Sequence, residues 1–133
     1  MTDMPFATSG FDSLIGLRFD EVTKDGVTAS FDITPDLQQP YGILHGGVLC
    51  SVVETVGSVS GASWSGGAVV GTSNHTNFIK ASRSGTLTAR STPIHRGRTQ
   101  QLWEVRITDE QDRLIAMGQL RLANLDNTEL GSS

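Results

Sequence analysis

A glycine turn followed by a long run of small and apolar residues carries the clearest chemical signal in the chain. The turn Tyr41–Gly47 ends in His-Gly-Gly, and the run that follows it has one charged residue in its middle, Glu54. Such a run is typical of a helix that is buried on most sides. A helix start leaves backbone N–H groups unpaired at its positive end, and glycines there let another group come close. The sequence therefore predicts an oxyanion site at the helix start and a carboxylate about two turns later.

Glu54 needs an explanation, because a lone carboxylate in a buried helix is costly unless it is paired, protonated or used. Ser58 lies one helical turn further along, on the same face of the predicted helix. In one interpretation, Glu54 is a structural residue that pairs with an arginine or a lysine. In the other, it does chemistry on a group that is bound near the helix.

Alternating apolar and polar residues predict the elements that position this helix. Two strands precede the helix and four follow it, over 17–22, 27–33, 69–79, 86–94, 100–108 and 113–122. The Asp-Gly pair at 25–26 predicts a hairpin turn between the first two strands. The sequence also predicts a short helix over 9–16, an end to the long helix at 64–67, a turn over 95–98 and a frayed polar end over 126–133.

This order of elements predicts one α+β domain over 1–133, with its core over about 15–125. In such a domain, one antiparallel sheet buries one face against one helix. The other face and the edges of the sheet need cover, which favours a homo-oligomer.

The composition limits the classes of partner and compartment. The chain has 133 residues, a net charge of −4 and one cysteine, Cys50. The negative charge gives no reason to expect binding to nucleic acid or to an anionic membrane. The N-terminus lacks the charge order of a signal peptide, and a single cysteine suits a reducing cytosol, so we expect a cytoplasmic protein. Cys50 is interpreted either as a nucleophile or as a small buried apolar residue.

Motifs for other chemistries are absent from the sequence. No cluster of His, Cys and carboxylate residues has the spacing of a metal site, so no metal is expected. The chain also lacks a Gly-x-Ser-x-Gly elbow, a phosphate loop and a dinucleotide fingerprint.

Several motifs together resemble those of the hotdog-fold acyl-CoA thioesterases, in particular the PaaI-like group. The strongest motif is Gly42–Gly47 with an acid nine residues after His45, and the others are Val69–Thr72, Pro93–Arg98 and Trp103–Val105. Within that group the chain resembles the bacterial 1,4-dihydroxy-2-naphthoyl-CoA thioesterases of menaquinone synthesis. The resemblance implies a hotdog fold, in which a five- to six-stranded antiparallel sheet wraps one long central helix.

The resemblance also implies a role for each residue of the strongest motif. Glu54 acts as the nucleophile or as the general base on water, and the sequence does not separate these two roles. The backbone N–H of Gly46 polarises the thioester carbonyl, and Gln39 supplies a second donor from its side chain. His45 fixes the turn, and Ser58 orients the acid or the water.

An acyl-CoA substrate would need two further sets of contacts, one with its nucleotide and one with its acyl group. Arginine binds phosphates well, so the basic turn 95–98 is predicted to hold the nucleotide, with Lys80, Arg83 and Arg90 nearby. The alternative is that this turn is merely solvated. For an aromatic acyl group, Trp64 and Phe78 are expected to form flat walls, beside space left by Gly57 and Gly61. The full set of predicted substrate contacts is Gly47, Thr72, Ser73, His75, Phe78, Lys80, His95, Arg96, Gly97 and Arg98.

One departure from the subgroup concerns the substrate. Some members carry a His pair late in the third strand, where this chain has Phe78 and Ile79. His75 lies three residues earlier, and His75 or Ser73 is a candidate partner for a ring hydroxyl.

We therefore expect a cofactor-free thioesterase that hydrolyses an aromatic acyl-CoA, with coenzyme A as part of the substrate. The resemblance implies a dimer or a dimer of dimers with active sites shared between subunits. The alternatives are a medium- or long-chain acyl-CoA thioesterase, a hotdog hydratase or dehydratase, and a non-catalytic acyl-CoA-binding module.

Overall fold

The computed structural model describes residues 10–125 and places one long helix across a six-stranded antiparallel sheet. The elements are α1 (Phe11–Ile15), β1 (Arg18–Thr23), β2 (Gly26–Asp32), a 3₁₀ turn (Pro35–Leu37), α2 (Gly46–Ser65), β3 (Val69–Phe78), β4 (Thr86–Arg96), β5 (Gln100–Thr108) and β6 (Leu114–Asn124). This confirms the α+β class, the single long helix and the predicted order of strands. The predicted frayed end at 126–133 lies outside the described residues.

The strand order in the sheet is β1-β2-β4-β5-β6-β3, so β3 lies at an edge although it directly follows α2 in the chain. β3 pairs with β6, with Phe78 opposite Ala116 and Val69 opposite Asn124. Within residues 10–125, the outer edge of β3 has no strand beside it, and most of its side chains are exposed. An exposed edge of this length is a ready template for a second chain.

Helix α2 packs one stripe of valines and small residues on the sheet. Its buried residues are Val48, Leu49, Val52, Val53, Val56, Gly57, Val59, Ser60 and Gly61. Valine is a poor helix former, so burial against the sheet rather than intrinsic propensity holds these residues in a helix. Among residues 10–125, no helix has both the length and the apolar content needed to cross a membrane.

The expectation that Glu54 lies in the buried part of α2 is wrong, because its side chain is exposed. The sheet covers only one side of the helix. Glu54 lies at the border of the covered side, next to the edge strand β3. A Cβ atom built on Gly71 would lie 3.9 Å from a carboxylate oxygen of Glu54. The carboxylate therefore borders the open edge of the sheet.

Gly57 and Gly61 do not leave space for a substrate, contrary to the sequence expectation. A Cβ on Gly57 would lie 2.6 Å from Leu120 Cδ2, and one on Gly61 would overlap Leu122 Cδ1. Both leucines come from β6 and are buried. The two glycines thus serve close packing of α2 on the sheet.

Replacing Gly61 by alanine is expected to destabilise the fold. The new methyl group would collide with Leu122 and Gln101, which are both fully buried. Overpacking of this kind costs about 1–3 kcal/mol, whereas alanine recovers about 1 kcal/mol of helix propensity. We expect a net loss of free energy of unfolding, measured by urea denaturation.

The matched control is Gly67→Ala, just beyond the end of α2. A Cβ on Gly67 meets no atom within 4 Å, and its φ angle suits an L residue. This variant should have the same midpoint urea concentration of unfolding as the wild type. A Gly61→Ala protein as stable as wild type would contradict the packing role of this glycine.

Two element boundaries differ from the sequence expectation. β4 continues through His95 to Arg96, so these residues belong to a strand rather than to the predicted turn over 95–98. A bulge between Pro93 and His95 shifts the register and lets the strand continue. Trp64 lies inside the last turn of α2, which ends at Ser65 and is followed by Gly66 in the left-handed conformation with φ 75°.

Candidate active site

The start of α2 leaves one backbone donor unpaired. The Gly47 N–H donates to His45 Nδ1 at 2.8 Å, and the Val48 N–H donates to the His45 carbonyl at 3.0 Å. No acceptor for the Gly46 N–H is found within residues 10–125. This amide also lies at the positive end of a helix of 20 residues. The helix start therefore offers one free N–H group to an anionic or partly anionic oxygen.

The loop before α2 places Gln39 beside this donor. Gly42, with φ 80°, lets the chain reverse, and its N–H donates to the Gln39 carbonyl at 2.9 Å. The Gln39 side-chain oxygen accepts a hydrogen bond from the Tyr41 N–H. The oxygen of the side-chain amide is therefore engaged within the loop, and its NH₂ group is left as the donating end.

The connection between β3 and β4 holds this loop in place. The Leu44 N–H donates to the Ser82 carbonyl at 2.8 Å, and Gln38 Nε2 donates to the Arg83 carbonyl at 2.8 Å. Arg83 in turn donates from Nη1 to the Tyr41 carbonyl at 3.1 Å. Arg83 therefore supports the loop that carries Gln39.

A cavity of about 290 Å³ lies next to the helix start, and Gly46, Gln39, Leu49, Phe78 and Lys80 are among the residues that line it. The Phe78 ring crosses the helix start. A Cβ on Gly46 would lie 2.7 Å from two of its ring carbons, so only glycine fits beneath the ring in this position. Phe78 is nevertheless 58% exposed. The ring therefore presents a flat apolar surface beside the free N–H group.

Glu54 lies too far along α2 to act on a group held at the helix start of the same chain. Eight residues separate it from Gly46, which corresponds to about 12 Å along the helix axis. Glu54 instead lines a shallow pocket of about 220 Å³ with Gly71, Thr72, Ser73, Asn74 and Leu120. Within one chain the structure does not bring the free N–H of Gly46 and the carboxylate of Glu54 together.

Asn74 belongs to the surroundings of Glu54, although no motif in the sequence marks it. Its Nδ2 donates to the Cys50 carbonyl at 2.9 Å, one helical turn before Glu54, and its Oδ1 accepts from the Thr76 hydroxyl at 2.7 Å. Strand alternation could have placed Asn74 and Thr76 on the same face. The contact with α2 depends on how the strand lies against the helix, which alternation does not give.

The other residues predicted as site residues on β3 and α2 lie in different surroundings. Ser58 lines a separate shallow depression with Val69. Thr72 is the extra residue of a bulge, and its hydroxyl donates to the Arg121 carbonyl at 3.3 Å. His75 follows Asn74, which faces α2, so His75 points to the opposite face of the sheet.

The basic residues at the end of β4 differ in their availability. Arg96 donates to Asp25 at 2.9 Å and to the Lys24 carbonyl at 3.2 Å. Its guanidinium also lies over two indole rings, 5.6 Å from the centre of Trp64 and 6.0 Å from that of Trp103. Arg96 is thus tied into the protein, whereas His95 and Arg98 are exposed.

The register of the sheet separates this basic turn from the helix start. His95 lies opposite Leu102, Leu102 opposite Arg121, and Arg121 opposite Ser73. Ser73 lies five residues from Phe78 along β3, which is about 17 Å. Within one chain the turn is therefore at the Glu54 end of the site and not at the Gly46 end.

The expectation that Trp64 and Phe78 wall the same ring is wrong within one chain. Phe78 crosses the first residue of α2, and Trp64 lies 18 residues later in the same helix, about 27 Å away. Trp64 instead packs beneath Arg96. Phe78 alone remains as a flat wall beside the helix start.

Comparisons with known proteins agree on one family. Residues 41–116 match the model of the thioesterase superfamily. The chain is 45% identical over 124 residues to a Mycobacterium tuberculosis protein named "Putative esterase", covering 90% of this chain and 89% of that protein. It is 32% identical over 113 residues to the 1,4-dihydroxy-2-naphthoyl-CoA hydrolase of Escherichia coli, covering 84% of this chain and 83% of that protein. Among solved structures, a thioesterase from Haemophilus influenzae is similar with a TM-score of 0.82 and 34% identity, covering 86% of this chain and 82% of that one.

Proposed function

The chain belongs to the thioesterase superfamily and is an acyl-CoA thioester hydrolase, and on that premise we propose that its substrate carries an aromatic acyl group and that Gly46 and Glu54 carry the reaction. The observation that most directly supports a reaction at this helix start is the free N–H of Gly46 at the positive end of α2. Gly46 lines a cavity, and Gln39, whose side-chain oxygen already accepts from the Tyr41 N–H, lines the same cavity.

The thioester carbonyl oxygen binds at the helix start. The Gly46 N–H and the Gln39 amide donate to this oxygen and stabilise the negative charge that develops when the carbonyl carbon is attacked. The dipole of α2 adds to this stabilisation. Because these groups are held by hydrogen bonds before the substrate arrives, the reaction needs little reorganisation at this oxygen.

The attacking carboxylate comes from a second copy of the chain. In this proposal, two β3 edges pair antiparallel about the middle of the strand, with the two-fold axis between Ser73 and Asn74. Thr76 then lies opposite Gly71 of the partner subunit, which is the neighbour of the partner subunit's Glu54. This pairing brings that carboxylate toward Phe78 and Gly46, and it covers the open edge of the sheet.

Glu54 acts in the hydrolysis either as a nucleophile or as a general base. As a nucleophile, its carboxylate oxygen bonds to the carbonyl carbon, the C–S bond breaks, and CoA leaves as the thiolate; water then hydrolyses the mixed anhydride. As a general base, Glu54 takes a proton from a water molecule whose oxygen bonds to the same carbon; the C–S bond then breaks, and the CoA thiolate takes up the proton from Glu54. Both routes give the free acid and CoA.

Two observations support an aromatic acyl group. The Phe78 ring lies against the helix start, where the acyl carbon must sit, and aromatic rings pack favourably on such a surface. In addition, relatives from Escherichia coli and Listeria monocytogenes are named 1,4-dihydroxy-2-naphthoyl-CoA hydrolases, at 32% and 30% identity. Menaquinone synthesis is the pathway that this substrate would imply.

A substrate panel tests the aromatic assignment. We expect kcat/KM for 1,4-dihydroxy-2-naphthoyl-, benzoyl- or phenylacetyl-CoA to exceed that for decanoyl- and palmitoyl-CoA, measured by release of free thiol. If a long-chain substrate leads every aryl substrate by about tenfold, a preference of about 1.4 kcal/mol in the transition state, the enzyme is a medium- or long-chain thioesterase instead. If CoA binds but no thioester releases thiol, the chain is a binding module.

A further inference from the structure

A buried polar network connects α2 to the far end of the sheet. Gln101 is fully buried, and its Nε2 donates to the Gly61 carbonyl at 3.3 Å and to Asn124 Oδ1 at 2.7 Å. The Gln101 oxygen accepts from Trp103 Nε1 at 2.7 Å. Buried amides of this kind hold one geometry because an unmade hydrogen bond is costly there. The buried side chain of Gln101 therefore fixes the orientation of Asn124, the last residue of β6.

Asn124 in turn holds the turn between β4 and β5. Its Nδ2 donates to the Gly97 carbonyl at 3.0 Å and to the Arg98 carbonyl at 2.9 Å. Its backbone N–H donates to the Thr99 carbonyl at 2.9 Å. Asn124 thus donates to three successive carbonyl groups and fixes their orientation. These three oxygens, which would repel a phosphate group, are directed toward Asn124.

The turn presents one free guanidinium. The Arg98 side chain is exposed and makes no hydrogen bond or ion pair with any of residues 10–125. The neighbouring guanidinium of Arg96 is committed to Asp25 and to the indole rings of Trp64 and Trp103. Arg98 is therefore the arginine of this turn that can meet a phosphate group, and Arg96 anchors the strand that leads into it.

We propose that Asn124 is a positioning residue that fixes the β4–β5 turn so that Arg98 binds the phosphates of the CoA nucleotide. The proposal rests on the acyl-CoA thioesterase function and assigns the nucleotide contact to Arg98 rather than to Arg96. A turn that is already held in its binding shape loses less conformational freedom when the phosphate arrives. Arginine supplies charge-assisted hydrogen bonds to phosphate oxygens.

The experiment compares two thioesters of the same acyl group, one on CoA and one on pantetheine, which lacks the nucleotide. The acyl group is the best one in the substrate panel. In Arg98→Ala, KM for the CoA thioester is expected to rise about tenfold, as for the loss of hydrogen bonds to a charged group, with kcat and both constants for the pantetheine thioester unchanged. Asn124→Ala should reproduce most of this rise, and the double variant should resemble Arg98→Ala, because Asn124 acts through Arg98.

Val69→Ala is the matched control for a loosened sheet end. Val69 lies opposite Asn124 where β3 pairs with β6. Within residues 10–125, Val69 makes no hydrogen bond to the β4–β5 turn. This variant should lose stability without separating the two thioesters. If Asn124→Ala does not fold, Asn124→Ser, which keeps one donor, is expected to show a smaller rise in KM for the CoA thioester alone.

Two results would overturn the proposal. One is an equal change in KM for both thioesters in Asn124→Ala, which indicates a structural role only. The other is an unchanged KM for the CoA thioester in Arg98→Ala. If wild type hydrolyses neither thioester, the thioesterase function itself fails. Calorimetric titration with CoA and with pantetheine then tests the same contact: CoA should bind about tenfold more weakly to Arg98→Ala, and equal affinity would refute the proposal.

Discussion

Glu54→Gln is expected to lower kcat by about 10²–10⁴-fold, as for the loss of a positioned acid–base group. The amide has the shape of the carboxylate but neither attacks a carbonyl carbon nor accepts a proton from water. The side chain is exposed at the edge of the sheet, so the substitution leaves the packed stripe of α2 untouched. Thiol release under saturating acyl-CoA measures the loss, and circular dichroism and urea unfolding establish that the variant is folded.

Glu21→Gln is the matched control for the change of charge. Glu21 is another exposed glutamate and lies in β1, at the opposite edge of the sheet from β3. Its replacement should leave kcat at the wild-type value. Near-normal turnover in a folded Glu54→Gln protein would remove Glu54 from the mechanism.

Two inactive variants are expected to restore activity when they are combined in one dimer. In the proposed mechanism, Gln39→Ala removes one donor to the thioester oxygen, which costs about 10²–10³-fold, and Glu54→Gln removes the carboxylate. If each site takes Gln39 from one chain and Glu54 from the other, a mixed dimer has one intact site and one doubly altered site. Such a dimer, isolated from coexpressed chains with different tags, should show about half of the wild-type turnover.

The control pairs Glu54→Gln with the Gln39→Ala/Glu54→Gln double variant, since no dimer of these chains contains an intact site. It should stay as inactive as its parents. An active monomer in light scattering, or a mixed dimer without recovered turnover, would show that the two groups do not meet across an interface.

Local sequence signals identified most of the elements and the residues at the helix start. The alternation over β1, β2, β5 and β6 follows from sheets with one buried face, and the glycines that end α1 and α2 adopt the left-handed conformation expected of them. The spacing between His45 and Glu54 needs only the pitch of a helix. These features depend on neighbours within a few residues, which a sequence pattern records directly.

The errors share a different cause, because they depend on residues far apart in the chain. The sequence around Gly57 and Gly61 predicts open space beside the helix. In the structure, Leu120 and Leu122 of β6 fill that space. Arg96 looks like part of a solvated turn until a bulge continues its strand and Asp25 and the indole rings enclose it. The position of β3 at the edge of the sheet follows from its pairing with β6, which no alternation within β3 can indicate.

The unpaired edge of β3 has a consequence for how the protein behaves as its concentration changes. If Glu54 serves the site of the partner subunit, a separated chain holds two half-sites and no complete one. By mass action, the fraction of chains that catalyse then depends on the total amount of protein relative to the dissociation constant of the dimer. Below that constant, the rate grows with the square of the protein concentration. In that case, the number of copies that a cell makes would itself affect the activity of each copy.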